Sequence, residues 1–160
     1  ALGIQRTQKI GERFIPFSLY PHRDLYRLWF AAIPQTHPGK PVKYGVERIA
    51  ESYFPVFLSS AAGRTMAVLI GTDPETILKR LREAYNVSVP HNEHTLMLLG
   101  SGRARWDAIV EPSPFYAEAF IGIMRGAMEE RGVPMPKVTW SRVGAHGKHH
   151  QRIVFDLDMT

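Results

Sequence analysis

The chain has 160 residues and a formal net charge of +5, and 44% of its residues are apolar. Length and composition predict one globular domain over residues 1–160, and the charge favours an anionic partner without identifying one. Because the sequence contains no cysteine, it excludes a disulfide scaffold, a thiolate zinc finger, an iron–sulfur cluster and a cysteine nucleophile.

The ends and the apolar runs of the sequence bear on its location. The first residue is Ala1 rather than Met, as in a module excised from a longer protein. Apolar runs such as Met66–Ile70 are far too short to span a bilayer, and no signal peptide is recognisable. We therefore expect a cytoplasmic domain without a membrane span.

Residues 13–84 are predicted to be mostly helical, after an extended N-terminal segment at residues 1–12. Their apolar residues recur three and four positions apart, which is the spacing of one helix face. Proline and glycine divide the region, and Asp73 followed by Pro74 is a typical helix start. Four short helices are predicted, and they begin near Pro21, Pro41, Val56 and Asp73.

Residues 85–160 are predicted to form a ββαββ unit. The apolar spacing changes to two at Tyr85, and Val87 and Val89 continue that alternation as a strand. A helix is predicted between Ser113 and Gly132. The strands of two hairpins are predicted at Thr95–Leu99, Arg103–Val110, Val138–Val143 and Arg152–Leu157. This order predicts an α+β fold with an antiparallel sheet of four or five strands.

Several short motifs suggest a family. They include Arg13-Phe14-Ile15-Pro16-Phe17, Pro38-Gly39-Lys40-Pro41, Ser60-Ala61-Ala62-Gly63-Arg64-Thr65 and Gly71-Thr72-Asp73-Pro74. On these residues the chain resembles an uncharacterised myxobacterial family of paralogous domains, itself distantly similar to TRAPP subunits and vinyl-reductase-type ligand-binding domains. The resemblance implies a TRAPP-like fold of helices followed by ββαββ. It also implies binding of acyl chains, small molecules or haem, and dimers.

Two features of those relatives are missing from this sequence. Haem-binding relatives use a histidine on a helix and a Tyr-x-Ser-x-Arg motif, which does not occur here. TRAPP subunits that carry a covalent acyl chain need a cysteine, and this chain has none. We therefore expect neither haem nor another cofactor, and no covalent acylation by that route.

Arg64 is the first candidate for ligand binding. It lies in a predicted apolar helix, and an unpaired buried charge is costly. Its guanidinium is predicted either to hold the anionic head group of an acyl-like ligand or, as the favoured interpretation, to pair with a carboxylate of the chain. Candidate carboxylates are Glu47, Glu51 and Glu111. Aromatic residues predicted to line such a site, or else to belong to the core, include Trp29, Tyr53 and Phe57.

A second candidate is a basic face on the two hairpins. Its members are Arg103, Arg105, Arg142, Lys148 and Arg152. With Trp106 and Trp140 nearby, such a face could hold an anionic or nucleobase-containing ligand. Successive side chains of a strand point to opposite faces, so the favoured interpretation places the tryptophans in the core and the arginines in solvent.

Gly122 and Gly126 lie one turn apart in the late predicted helix. Each glycine costs about 1 kcal/mol relative to alanine inside a helix, so their presence predicts the close approach of another helix. That neighbour is predicted to be either the Val56–Ile70 helix or a second copy of the chain in a dimer.

The histidines are the weakest candidates. His146, His149 and His150 at the second hairpin could share a metal with a nearby aspartate, although a solvated, metal-free tip is expected. His91 and His94 are interpreted as part of a polar turn.

The favoured function is a non-enzymatic regulatory or signalling domain that dimerises or docks a protein partner. It is expected to bind a small apolar or anionic ligand between helices and sheet. Neither a phosphate-binding Gly-x-x-x-x-Gly-Lys-Ser/Thr loop nor a Gly-x-Gly-x-x-Gly motif occurs. The first alternative is nevertheless a nucleotide- or nucleic-acid-binding module that uses the basic hairpins, although nucleic acid is not the expected partner. The second is a metal-dependent enzyme at the histidines.

Overall fold

The computed structural model describes residues 22–59, 64, 71–89, 91–147 and 149–160. Its helices are α1 (His22–Thr36), α2 (Val42–Glu51), α3 (Tyr53–Ser59), α4 (Pro74–Ser88) and α5 (Tyr116–Glu130). Its strands are β1 (Glu93–Gly100), β2 (Arg103–Val110), β3 (Lys137–His146) and β4 (His150–Asp158). The predicted α+β fold, with helices before a ββαββ unit, is confirmed. None of the described helices combines the length and apolar character that a bilayer crossing requires.

The chain divides into two compact units, residues 1–45 and 46–160. In the described part of the first, Trp29 and Ile33 of α1 are buried. Trp29 meets the ring of Tyr26 edge-on, with centroids 5.4 Å apart. Gly45 lies so close to Ile33 that a Cβ there would be 2.6 Å from its side chain. A single domain over the whole sequence stays a prediction.

The second unit contains a four-stranded antiparallel sheet in the order β1-β2-β4-β3. Burial alternates along its two central strands, so that one face of the sheet packs on α4 and α5. The centre of that core is Phe120 of α5, whose ring lies 4.8 Å from Trp106 and 4.3 Å from Phe155. The first hairpin turns through Ser101 and Gly102, and both have the positive φ that a type I′ turn requires.

The strand predicted at Tyr85–Val89 is wrong, because α4 continues to Ser88. The helical face of Ile77 and Leu81 extends one more turn to Tyr85, and the Val89 N–H still donates to the Tyr85 carbonyl at 3.0 Å. Val87 is 82% exposed, so its apolar character does not mark a buried strand face.

The helix predicted to begin near Val56 begins three residues earlier, at Tyr53. Helix α2 ends at Glu51, and Pro55 lies in the first turn of α3, where its missing N–H removes no helical hydrogen bond. Of the predicted Val56–Ile70 helix, residues 60–63 and 65–70 lie outside the described residues.

Replacing Asp73 by alanine is expected to lower the free energy of unfolding by about 1 kcal/mol. The Asp73 carboxylate accepts a hydrogen bond from the Thr76 N–H at 2.9 Å and caps α4. Hydrogen bonding with Thr76 also holds the pKa of Asp73 below its usual value. Urea unfolding followed by circular dichroism measures the loss. Asp73→Asn keeps an acceptor and should recover most of it, and an equal loss in both variants would contradict this cap.

Candidate functional site

A cavity of about 600 Å³ opens between α3, α4 and α5 in the second unit. Most of its described lining is apolar. Helix α3 contributes Tyr53, Phe54, Val56 and Phe57; helix α4 contributes Ile77, Arg80, Leu81, Ala84, Tyr85, Val87 and Ser88; helix α5 contributes Ile123. The volume lies within the range of about 300–1,000 Å³ that is typical of small-molecule sites.

The cavity reaches from the core to the surface. Ile77 and Leu81 are buried and form its inner wall, whereas Val56, Phe57 and Val87 line it and are 66%, 43% and 82% exposed. Exposed apolar surface loses about 25 cal/mol per Å² relative to burial, so an apolar ligand that covers these side chains would be stabilised. A contiguous apolar patch of this kind marks a binding site more often than isolated exposed apolar residues do.

Two of the aromatic residues predicted to contact a ligand, Tyr53 and Phe57, line this cavity. Trp29 instead lies in the other unit. Arg64 is exposed, and its guanidinium donates to the Ser59 carbonyl at 2.5 Å. The prediction that Arg64 is a buried cation is therefore wrong.

Two of the three carboxylates suggested for Arg64, Glu47 and Glu51, have another partner. Glu47 accepts a hydrogen bond from Arg125 at 2.6 Å, and Glu51 lies 3.9 Å from the same guanidinium. Glu51 also pairs with Arg48 at 2.6 Å. Among the described residues, the cation that lines the cavity is Arg80.

Behind the cavity wall lies His94, which is buried although the sequence suggested a polar turn. Its ring stacks on Tyr85, with centroids 4.6 Å apart, and Tyr85 lines the cavity. The Trp106 Nε1–H donates to His94 Nδ1 at 3.1 Å, so the ring carries its proton on Nε2, which lies 3.5 Å from the Tyr116 hydroxyl. Burial lowers the pKa of His94 from 6.5 to about 4.

The main chain of His94 ties β1 to α4. The Asn86 side chain accepts from the His94 N–H at 3.1 Å and donates to its carbonyl at 3.2 Å. Together with the stacked Tyr85 ring, these two bonds fix the end of α4 that lines the cavity against the sheet.

The predicted basic face does not form one surface. Arg105 pairs with Asp156 at 2.8 Å and Arg152 pairs with Asp107, on the face of the sheet away from the helices. Arg103 lies on that face opposite Asp158 in the strand register. Lys148 lies outside the described residues.

The other basic residue and the tryptophans lie on the helix-covered face of the sheet. Arg142 donates to the Ser113 carbonyl at 3.3 Å. Trp106 is fully buried, whereas Trp140, on the edge strand β3, is 42% exposed. The favoured interpretation placed the tryptophans in the core and the arginines in solvent. It holds for Trp106 and for the paired arginines, and it holds only in part for Trp140.

Gly122 and Gly126 are buried against α2 of the same chain. A Cβ on either residue would fall far inside van der Waals contact with a backbone carbonyl oxygen, that of Glu47 or of Glu51. The predicted close approach is present, and the neighbour is α2 rather than the Val56–Ile70 segment. Because α2 accounts for both glycines, they give no support to a dimer, which stays a prediction.

Among the described residues, no three His, Asp or Glu side chains form a group that could hold a metal. His150 Nε2 lies 3.1 Å from the His91 carbonyl. His146 borders a hollow of about 160 Å³ on the outer face of the sheet, where the Asp107 carboxylate is already paired with Arg152. His146, His149 and His150 are therefore not gathered with a carboxylate into a group of three possible ligands in the described part of the chain.

Solved structures of H-NOX domains share this fold. One, described as an oxygen-binding H-NOX domain related to soluble guanylate cyclases, has a TM-score of 0.68 at 10% identity and covers 94% of this chain and 78% of its own. The H-NOX from Shewanella woodyi, solved with IWP-051 bound, has a TM-score of 0.62 at 16% identity and covers 92% and 76%. A third, from work on heme distortion in the H-NOX family, has a TM-score of 0.68 at 10% identity, with 94% and 78% covered.

At these identities the likeness concerns the fold alone. The predicted similarity to TRAPP subunits and vinyl-reductase-type domains is not supported by these structures and stays a prediction. No curated protein matches the sequence. Residues 5–151 match a sequence family described as "Protein of unknown function (DUF2378)", and the chain belongs to that family.

Proposed function

We propose that this chain is a non-enzymatic ligand-binding domain used in signalling, and that its ligand is a small apolar molecule held between α3, α4 and α5. The observation that carries the proposal is the cavity of about 600 Å³ with its largely apolar lining. The fold shared with H-NOX domains, one of them described as oxygen-binding, supports a role in binding rather than catalysis.

A ligand in the cavity would contact the end of α4 that is bonded to the sheet. Such a ligand would contact Tyr85, whose ring stacks on His94 of β1. The Asn86 bonds hold that same end of α4 to β1. We propose that docking of a protein partner or of a second copy of the chain is the output, and sedimentation velocity with and without ligand tests for the second copy.

Haem needs an axial ligand, usually His, Cys, Met or Tyr. The described lining contains no His, Cys or Met, and α4 carries no His along its length. Tyr53 and Tyr85 are the described lining residues of a type that can ligate haem iron. These side chains do not fit a histidine-bound haem, so we do not propose haem as the ligand. A stoichiometric Soret shift on adding hemin would instead favour haem as the ligand.

Decanol is expected to bind the wild-type chain saturably and to displace Nile red, a neutral fluorescent probe, from the cavity. Ala84→Phe should abolish this binding, because Ala84 lines the cavity at an exposed position where a larger ring can fill the space without displacing the core. Lys79→Phe is the matched control, since it adds the same ring to α4 outside the lining. Equal displacement in wild type and Ala84→Phe would overturn the proposal.

A further inference from the structure

We propose that the ligand of this cavity is a single-chain carboxylate, with its hydrocarbon chain along the apolar wall and its carboxylate on Arg80. This inference rests on the proposed function and adds the class of ligand. It is carried by the position of Arg80, the one cation in the described lining, at the mouth of a largely apolar cavity.

Arg80 lies between two lining positions of α4, one turn after Ile77 and one turn before Ala84. Ile77 is fully buried, whereas the Arg80 side chain is 44% exposed. A long basic side chain in this position packs its methylene stem on the apolar wall and keeps its charge in water. The guanidinium therefore lies where the cavity meets solvent.

The present partner of Arg80 is replaceable. Arg80 donates to Glu83 at 2.8 Å, and both side chains are more than two-fifths exposed. Such a surface pair contributes about 0–1 kcal/mol. Glu83 also lies 3.8 Å from Arg82, so it keeps a cationic neighbour when Arg80 turns towards a ligand. The three residues together carry a net charge of +1.

The chemistry of the mouth matches a carboxylate. The guanidinium can donate two parallel hydrogen bonds to the two oxygens of a carboxylate, which a hydroxyl group cannot accept in the same way. No Asp or Glu belongs to the described lining, and the acidic side chain that competes with such a head group for Arg80 is Glu83, just outside it. The hydroxyl of the lining residue Ser88 already donates to the Ala84 carbonyl at 2.5 Å, so Arg80 is the stronger donor for the head group.

The inner wall explains the hydrocarbon chain. Ile77, Leu81 and Ile123 present aliphatic groups to the cavity. Each buried CH₂ contributes about 0.8 kcal/mol, so each added CH₂ of the ligand should strengthen binding about fourfold until the cavity is filled.

The experiment compares decanoate with decanol, which have the same chain and different head groups, by displacement of Nile red at low salt. Arg80→Gln should weaken decanoate binding about tenfold and change decanol binding less than twofold. Lys79→Gln removes the same charge from the same helix outside the lining and should leave both affinities within about twofold. The tenfold loss should shrink at high salt, because salt screens exposed charges.

Glu83→Gln tests the same geometry through a gain in decanoate affinity, which a folding defect would not produce. It frees Arg80 from its surface partner, so decanoate should bind several-fold more tightly while decanol is unaffected. Decanoate affinity that is insensitive to Arg80→Gln, or decanoate and decanol weakened equally by it, would overturn the carboxylate inference and leave the proposed function intact. Failure of both ligands to bind the wild type would overturn the proposed function itself.

Discussion

Replacing Gly126 by alanine is expected to lower the free energy of unfolding by about 2–3 kcal/mol. The new methyl group would overlap the Glu51 carbonyl oxygen of α2, and a backbone atom cannot move aside as a flexible side chain can. Overpacking of this kind costs about 1–3 kcal/mol or more. The better helix propensity of alanine returns up to about 1 kcal/mol and does not cancel the clash.

Urea unfolding followed by circular dichroism measures this change, and Gly122→Ala should behave in the same way, because its Cβ would overlap the Glu47 carbonyl oxygen. Glu130→Ala is the matched control, since Glu130 is exposed on the same helix and its loss should change stability by less than about 0.5 kcal/mol. A Gly126→Ala variant as stable as the wild type, or more stable, would contradict the packing of α5 on α2.

Acidification from pH 7 to below pH 4 is expected to cost about 3 kcal/mol of stability through His94 alone. Its pKa in the folded chain is about 4, against an ordinary histidine value of 6.5, because the ring is buried. The unfolded chain therefore binds a proton as the pH falls below about 6.5, while the folded chain does not until about pH 4. Stability is fully present above the unfolded pKa and is lost across this window, and the pKa difference corresponds to about 3 kcal/mol.

The measurement is the free energy of unfolding in urea at several pH values, for wild type and His94→Phe. The variant keeps an aromatic ring beside Tyr85 but loses the acceptor for Trp106. It should be less stable than wild type at pH 7, and the difference should narrow as the pH falls. His149→Gln, at an exposed position, should leave the profile unchanged. An NMR titration of the His94 ring with a midpoint near 6.5 would contradict the buried, neutral imidazole.

The late part of the fold could be predicted because its signals are local. Alternation along β2 and β4 and the apolar stripe of α5 each depend on residues close in sequence. The segment at Tyr85–Val89 is ambiguous in the sequence. Tyr85 follows Leu81 at the helical spacing of four, and it also begins a strand-like spacing of two with Val87 and Val89. Packing of Tyr85 against His94 and Phe120 favours the helix, and a local spacing pattern does not show these contacts because they join different elements.

The site was harder to predict because it depends on which helix face meets which neighbour. Arg64 and Arg80 both flank apolar residues, and only the packing of α3, α4 and α5 places Arg80 at the cavity. His94 could have been recognised, because it occupies the same face of β1 as Leu96. The polar neighbours Asn92 and Glu93 instead suggested a turn. The pairing of β1 with β2 brings His94 to Trp106.

We propose that an apolar ligand lies between α3, α4 and α5. Isotope-filtered NOE spectra of methyl-labelled protein with unlabelled decanol test it most directly. We predict NOEs from the alkyl chain to the methyl groups of Ile77, Leu81 and Ile123, and we expect these NOEs to be lost in the Ala84→Phe variant. NOEs confined to the outer face of the sheet, as at Ile109 or Val154, would contradict it.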